Sequence, residues 1–214
     1  MKKLIVLDAM GCAYYLTKEQ QPKKDRQYFE NVLERKYTEH WAKFIEGNIH
    51  ALCEAELLEY KSENSEFNPI VDLGLFPLMN LDEYKSLWVP STYEEASEIV
   101  LKKINAFEYF QGNILSVARF EDGSKKNAKA WFETLKKYEG APIEFVIEDS
   151  IKNLDAAMEA VRKLSSIEPK GLLVTEGSKE KHKNILPIYK KETGYYEGSL
   201  LTFSHAIKNN YFAN

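Results

Sequence analysis

The sequence predicts an α/β fold: a Rossmann-like parallel sheet flanked by helices, with a helical cap inserted after the first strand. Three observations predict it. Apolar runs that do not alternate, such as LIVL at residues 4–7 and IEFVI at 143–147, suit parallel strands covered on both faces. Amphipathic stretches separate these runs, which is the order of a βα chain. A long segment of helical character breaks that order directly after the first run.

The first strand spans Leu4 to Leu7 and ends at Asp8, with Gly11 following as a turn residue. From residue 18 to 61, Tyr28, Phe29, Val32, Leu33, Tyr37, Trp41, Phe44, Ile45, Ile49 and Leu52 recur at helical spacing between charges, which predicts two or three helices. Residues 62–83 read as irregular, broken by Pro69, Gly74 and Pro77. A second strand is expected over Lys85 to Val89. A helix from about Tyr93 to Asn105 follows, with Thr92 as its cap and Glu94 and Glu95 in its first turn. NILSVARF, within residues 107–120, suggests a short strand, and residues 124–138 a helix. IEFVI is the next strand, residues 154–164 an Ala-rich helix, and residues 171–177 a further strand. SLLTF at 199–203 reads either as a strand or as the start of a last helix. The expected division is a core of residues 1–16 and 84–214, with a helical cap of residues 17–83.

Composition narrows the function classes. Hydrophobic residues make up 44% of the 214-residue chain and charged residues 29%, which is ordinary for a soluble globular protein. The net charge of −4 argues against nucleic acid, whose phosphates are bound by clustered Lys and Arg, but leaves room for a small phosphorylated ligand. No run approaches the roughly 18–20 apolar residues of a membrane span. Cys12 and Cys53 form no CxxC pair, and His40, His50, His182 and His205 show no metal spacing. Reduced thiols fit a cytoplasmic chain.

In parallel sheets the chemistry gathers at the carboxyl ends of the strands. Asp8 stands at the first such end, Ser91 and Thr92 just past the second, and Glu148 and Asp149 after IEFVI. Gathered carboxylates repel one another, and a hard cation such as Mg²⁺ relieves that repulsion by taking oxygen ligands. A carboxylate also serves as a nucleophile, and nearby hydroxyls and a lysine then hold the oxyanions of a transferred phosphoryl group.

This order resembles the four motifs of the haloacid-dehalogenase-like (HAD-like) hydrolases. LIVLDAMGC (4–12) is similar to their first motif, LWVPST (87–92) to the second, and KKNAKAWF (125–132) to the third. EDSIKNLDAA (148–157) is similar to the fourth, as it stands in the branch of phosphoglycolate phosphatases and phosphoglucomutases. The resemblance implies Asp8 as nucleophile and Ser91 or Thr92 as phosphoryl ligands. It implies Lys126, ahead of Lys125, as the neutralising cation. Asp8, the main-chain carbonyl of Met10, Glu148 and Asp149 would hold Mg²⁺, and the substrate would be a small phosphorylated metabolite. The first motif departs from the family pattern. Met10 stands where the family's phosphatases carry an acid–base Asp, Cys12 replaces the usual Thr, and Asn153 replaces the Gly of motif four. Loss of acid–base help costs ~10²–10⁴ in rate. Three readings follow. The first is a phosphatase-type hydrolase that draws its acid from the cap, with Glu19 or Asp25 as candidates. The second is a catalytically impaired relative that binds a phosphorylated ligand or a protein partner. The third is a haloacid-type hydrolase, against which the Glu148–Asp149 pair argues.

Overall fold

Four apolar runs lie side by side at the centre of the molecule, each buried on both faces. The computed structural model describes residues 2–15, 49–61, 68–120, 124–175 and 186–213. Strands β1 (Lys3–Asp8), β4 (Tyr84–Val89), β5 (Ile143–Glu148) and β6 (Lys170–Val174) are parallel. They join β7 (Ile188–Lys190) and β8 (Tyr195–Gly198) in a six-stranded sheet of order β4-β1-β5-β6-β8-β7. Only the β7–β8 hairpin is antiparallel. A separate two-stranded ribbon pairs β2 (Tyr14–Tyr15) with β3 (Ile70–Val71).

The two-residue period of a strand sorts its side chains onto two faces. Ile5, Leu7, Trp88, Phe145 and Ile147 join one buried cluster, and Leu4, Val6, Leu87, Val89 and Val146 join the other. The first face is covered by α2 (Leu75–Met79), α3 (Glu94–Lys103), α4 (Phe107–Phe110) and α7 (Leu200–Lys208). The second is covered by α5 (Ala128–Leu135) and α6 (Ile151–Leu164). Ala156, Ala157 and Ala160 of α6 are buried, and these small side chains let it pack closely beside α5. Helix α1 (Ile49–Lys61) sits against α3, with Cys53 buried between Tyr93 and Ala118.

Several local expectations change. NILSVARF is not a strand. Ile114 makes a single bridge to Trp88, and Val117–Arg119 turn into a 3-10 helix pinned by the Ser116 hydroxyl, which accepts from Ala118 N. The SLLTF segment is helical, because Ser199 caps α7 by accepting from Thr202 N. Thr92 does not cap α3. The cap position is Tyr93, without a side-chain bond, and the Thr92 hydroxyl has no hydrogen-bond partner among the described residues. Leu75, Leu78 and Leu81, expected in the cap segment, are buried in the same cluster as Ile5 and Phe203. Gly74 lets α2 approach α7 so closely that a Cβ there would lie 2.2 Å from Leu201 N. The helices expected between residues 18 and 48 lie outside the described residues.

Candidate active site

Register brings the strand ends level. Asp8 pairs with Val89 of β4, and Leu7 pairs with Ile147 of β5, so Asp8 and Glu148 finish at the same edge. Beyond Asp8 the chain turns tightly: Ala13 N and Tyr14 N both donate to the Ala9 carbonyl, and Gly11 N donates to Tyr14 O at 2.9 Å. Gly11 has φ +96°, a left-handed conformation natural to glycine. A Cβ on Gly11 would sit 2.0 Å from Asp149 Oδ2, so the missing side chain is what admits that carboxylate.

Asp8, Glu148 and Asp149 each present an oxygen within 4.8 Å of the others. Asp8 and Glu148 are buried, and Asp149 opens to solvent. Lys125, also buried, donates to Asp8 Oδ1 and lies 3.3 Å from Glu148 Oε1. Glu148 is further satisfied by Ser150 N at 2.9 Å and by Asn153 Nδ2 at 3.1 Å. Both of its oxygens are therefore engaged by protein groups.

The charges respond to this setting. Burial pushes the Asp8 carboxyl up to about 7, against the pull of Lys125, with Glu148 and Asp149 adding repulsion. Burial and the Glu148 charge raise Asp149 to about 6. For Lys125, burial alone would favour the neutral amine, but Asp8 and Glu148 outweigh it and hold the ammonium above its ordinary range. The cluster thus contains more carboxylate than cation, which is the donor chemistry of a hard-metal site. Gly11, by leaving room for the Asp149 carboxylate beside Asp8, agrees with that use.

The lysine expectation changes. Lys126 is exposed, and its amide bonds the Ser124 hydroxyl. Lys125 instead points inward, because Asn127 caps α5 through Lys129 N, and the residues just before the cap turn under the helix. The Trp131 indole fixes this turn by donating to the Lys125 carbonyl at 2.7 Å. Its ring lies 5.3 Å from the Lys125 ammonium. Ser91 is exposed and Thr92 buried, both just beyond the strand position beside Asp8. Met10 is half-buried in the turn. Glu19 and Asp25 lie outside the described residues. Sequence reasoning missed Trp131 and Asn153 as supports. The signals were present: an aromatic six residues after Lys125, and an amide five residues after Glu148.

A mostly parallel sheet flanked by helices, with an aspartate ending one central strand and a Glu-Asp pair at the end of its neighbour β5, is the arrangement of the HAD-like fold. Solved structures carry the same architecture. One is a conserved haloacid dehalogenase-like protein of unknown function from Agrobacterium tumefaciens, 12% identical over 100% of this chain and 99% of that one, with a TM-score of 0.56. Another is a protein assigned as a beta-phosphoglucomutase from Thermotoga maritima, 14% identical over 97% of this chain and 99% of that one, with a TM-score of 0.57. No protein-family model and no curated protein sequence matches the chain. Among the described residues, no helix is long and apolar enough to cross a membrane.

Proposed function

We propose that this chain is a HAD-like hydrolase of the phosphatase type, Mg²⁺-dependent and cytoplasmic, which acts on a small phosphorylated metabolite through Asp8. The observation that carries the reading is the buried Asp8–Lys125–Glu148 triad beside the open Asp149. A buried lysine shared by two carboxylates is a costly arrangement for structure alone, because desolvation consumes most of the Coulombic gain.

Asp8 and Asp149, with the Met10 carbonyl, would hold Mg²⁺, since both Glu148 oxygens already accept from protein donors. When bound, the metal supplies charge neutralisation for the phosphoryl oxygens. The chain's own residues do the rest. An Asp8 oxygen attacks phosphorus and the bond to the leaving oxygen breaks, giving an aspartyl-phosphate that water later hydrolyses. Lys125 offsets the charge on the phosphoryl oxygens, and Glu148, braced by Asn153, keeps that ammonium in place. Ser91 and Thr92 offer hydroxyls at the neighbouring strand end.

Met10 supports a second reading, a site kept for binding, because a thioether neither donates nor accepts a proton in such chemistry. One assay separates the two. With Mg²⁺ and an activated aryl phosphate, the native chain is expected to turn over and Asp8→Asn to lose all activity. Turnover only in Met10→Asp would instead establish the binding role, and full activity in Asp8→Asn would remove Asp8 as nucleophile.

A further inference from the structure

Two neighbouring acids leave β5 and are used differently. Glu148 ends the strand buried, whereas Asp149, one residue on, opens to solvent. Each offers an oxygen within 4.8 Å of the other and of Asp8, so all three stand close enough to share one cation. What separates them is how their oxygens are already engaged. Glu148 Oε1 accepts from Asn153 Nδ2 at 3.1 Å and from the Lys125 ammonium at 3.3 Å, and Oε2 accepts from Ser150 N at 2.9 Å. A carboxylate has about four acceptor sites. Three of those on Glu148 are taken by donors of the fold itself. Asp149 instead sets its Oδ2 where the Gly11 turn has no side chain.

The three donors to Glu148 differ in kind. Lys125 is shared with Asp8, so its pull is divided. Ser150 N is backbone, two residues along the chain, and any residue at 150 other than proline would supply it. Asn153 alone is a side chain directed to Glu148. It is the third residue of α6, a helix of 14 residues whose Leu154, Ala156 and Ala157 are buried against the sheet, so its amide rides on a packed element. The amide turned the other way would set its oxygen against a carboxylate, so the nitrogen is the atom that faces Glu148. A residue without a donor at 153 would leave Oε1 to the lysine alone.

We propose that Asn153 holds Glu148 back as the fixed counter-ion of Lys125, which limits the metal to two carboxylates, Asp8 and Asp149, and so sets a preference for Mg²⁺ over Ca²⁺. This rests on the hydrolase reading above. Ligand count decides between these two hard cations. Mg²⁺ is held by about one or two carboxylates and keeps several waters, whereas Ca²⁺ gathers about six to eight oxygens and binds more tightly as the ligand charge rises. Releasing Glu148 supplies a third carboxylate, which benefits Ca²⁺ more than Mg²⁺. Asn153 is a positioning residue that acts through Glu148. A merely structural Asn153 would shift stability and both affinities together, and would leave their ratio alone.

The test titrates Mg²⁺ and Ca²⁺ separately into the native chain, Asn153→Ala and Asn153→Leu by isothermal calorimetry, with the Tm of each protein recorded. Alanine and leucine both favour a helix, so each variant keeps α6, and leucine also keeps the side-chain volume. In both variants Ca²⁺ affinity is expected to rise by ~10–100-fold, the usual size of a change made beside a ligand, against a nearly constant Mg²⁺ affinity. A Ca²⁺-to-Mg²⁺ affinity ratio equal to the native one, or one that moves toward Mg²⁺, overturns the assignment of Asn153 and leaves the hydrolase reading standing. A native chain that binds neither ion overturns the metal site of that reading, and this inference with it.

Discussion

Among the described residues, a strand-end cluster and a surface cluster each set two carboxylates around one cation. At the strand ends, Lys125 serves Asp8 and Glu148. On the surface, Arg119 serves Glu94 at 2.8 Å and Glu95 at 2.5 Å. The groupings match, but the settings do not. All three strand-end side chains are buried, whereas Arg119 keeps 45% of its side-chain surface in water and Glu95 keeps 51%. In water each ion pair replaces solvation that was nearly as good, so it contributes little. At the strand ends Asp8, Glu148 and Lys125 are withdrawn from solvent, and each charge depends on its partner. The difference teaches that burial, more than the bond lengths, decides what a charge cluster is worth.

Breaking each cluster at its cation gives the widest contrast. Lys125→Met leaves Asp8 and Glu148 facing each other without a counter-charge, and is expected to cost about 3–5 kcal/mol of stability. Arg119→Met is expected to cost about 0–1 kcal/mol. Urea unfolding of the two variants measures the gap, and equal losses would show that the strand-end pair is no more dependent on its cation than the surface one. Between these lies Gly11→Ala. A left-handed φ and a Cβ driven into Asp149 are expected to cost about 1–3 kcal/mol and to weaken Mg²⁺ binding, read as a smaller metal-induced rise in Tm.

The smallest effect sharpens the comparison through pH. Asp8 and Asp149 titrate near 7 and 6 when folded, above an unfolded value of about 4. The folded state therefore holds their protons more tightly. Their contribution to stability is complete below about pH 4 and is lost as pH rises through about 6–7. Mg²⁺ competes for the same oxygens, so its stabilising effect is expected to be slight at about pH 5 and larger at about pH 8. In the surface cluster a backbone hydrogen bond and Arg119 hold Glu95 below its ordinary range, so its contribution fades only as pH falls, the opposite sense. A metal-induced Tm shift that is flat across that range would sever the link between these carboxylates and the metal.

Legibility in the sequence followed burial too. Strands β1, β5 and β6 lie in the sheet interior and β4, at its edge, is covered on both faces, so each was written as a mostly apolar run and was readable. The β7–β8 hairpin escaped notice because Ile188, Tyr189 and Lys190 are all exposed, and YYEG has neither alternation nor an apolar run. The strand-end residues Asp8, Glu148 and Asp149 stood out because an acid after an apolar run is conspicuous. Lys125 could not be told from Lys126, since adjacent lysines differ only in which way the Ser124–Asn127 turn aims them. That choice is made by tertiary contacts with Trp131. Asn153 read as the loss of a motif glycine, whereas in three dimensions it is a gained donor to Glu148.

The small ribbon of β2 and β3 has a consequence for how such a protein changes over generations. Tyr14–Tyr15 and Ile70–Val71 run antiparallel and adjacent, so the chain departs from the sheet edge and returns to it about 5 Å away. The chain between those two strands thus leaves and re-enters at one fixed point, and α1 within it also packs on α3. Loop closure grows slowly with length, by roughly 0.6 kcal/mol for each doubling. Lineages can therefore lengthen that segment at little cost while the carboxylates and their lysine stay as they are.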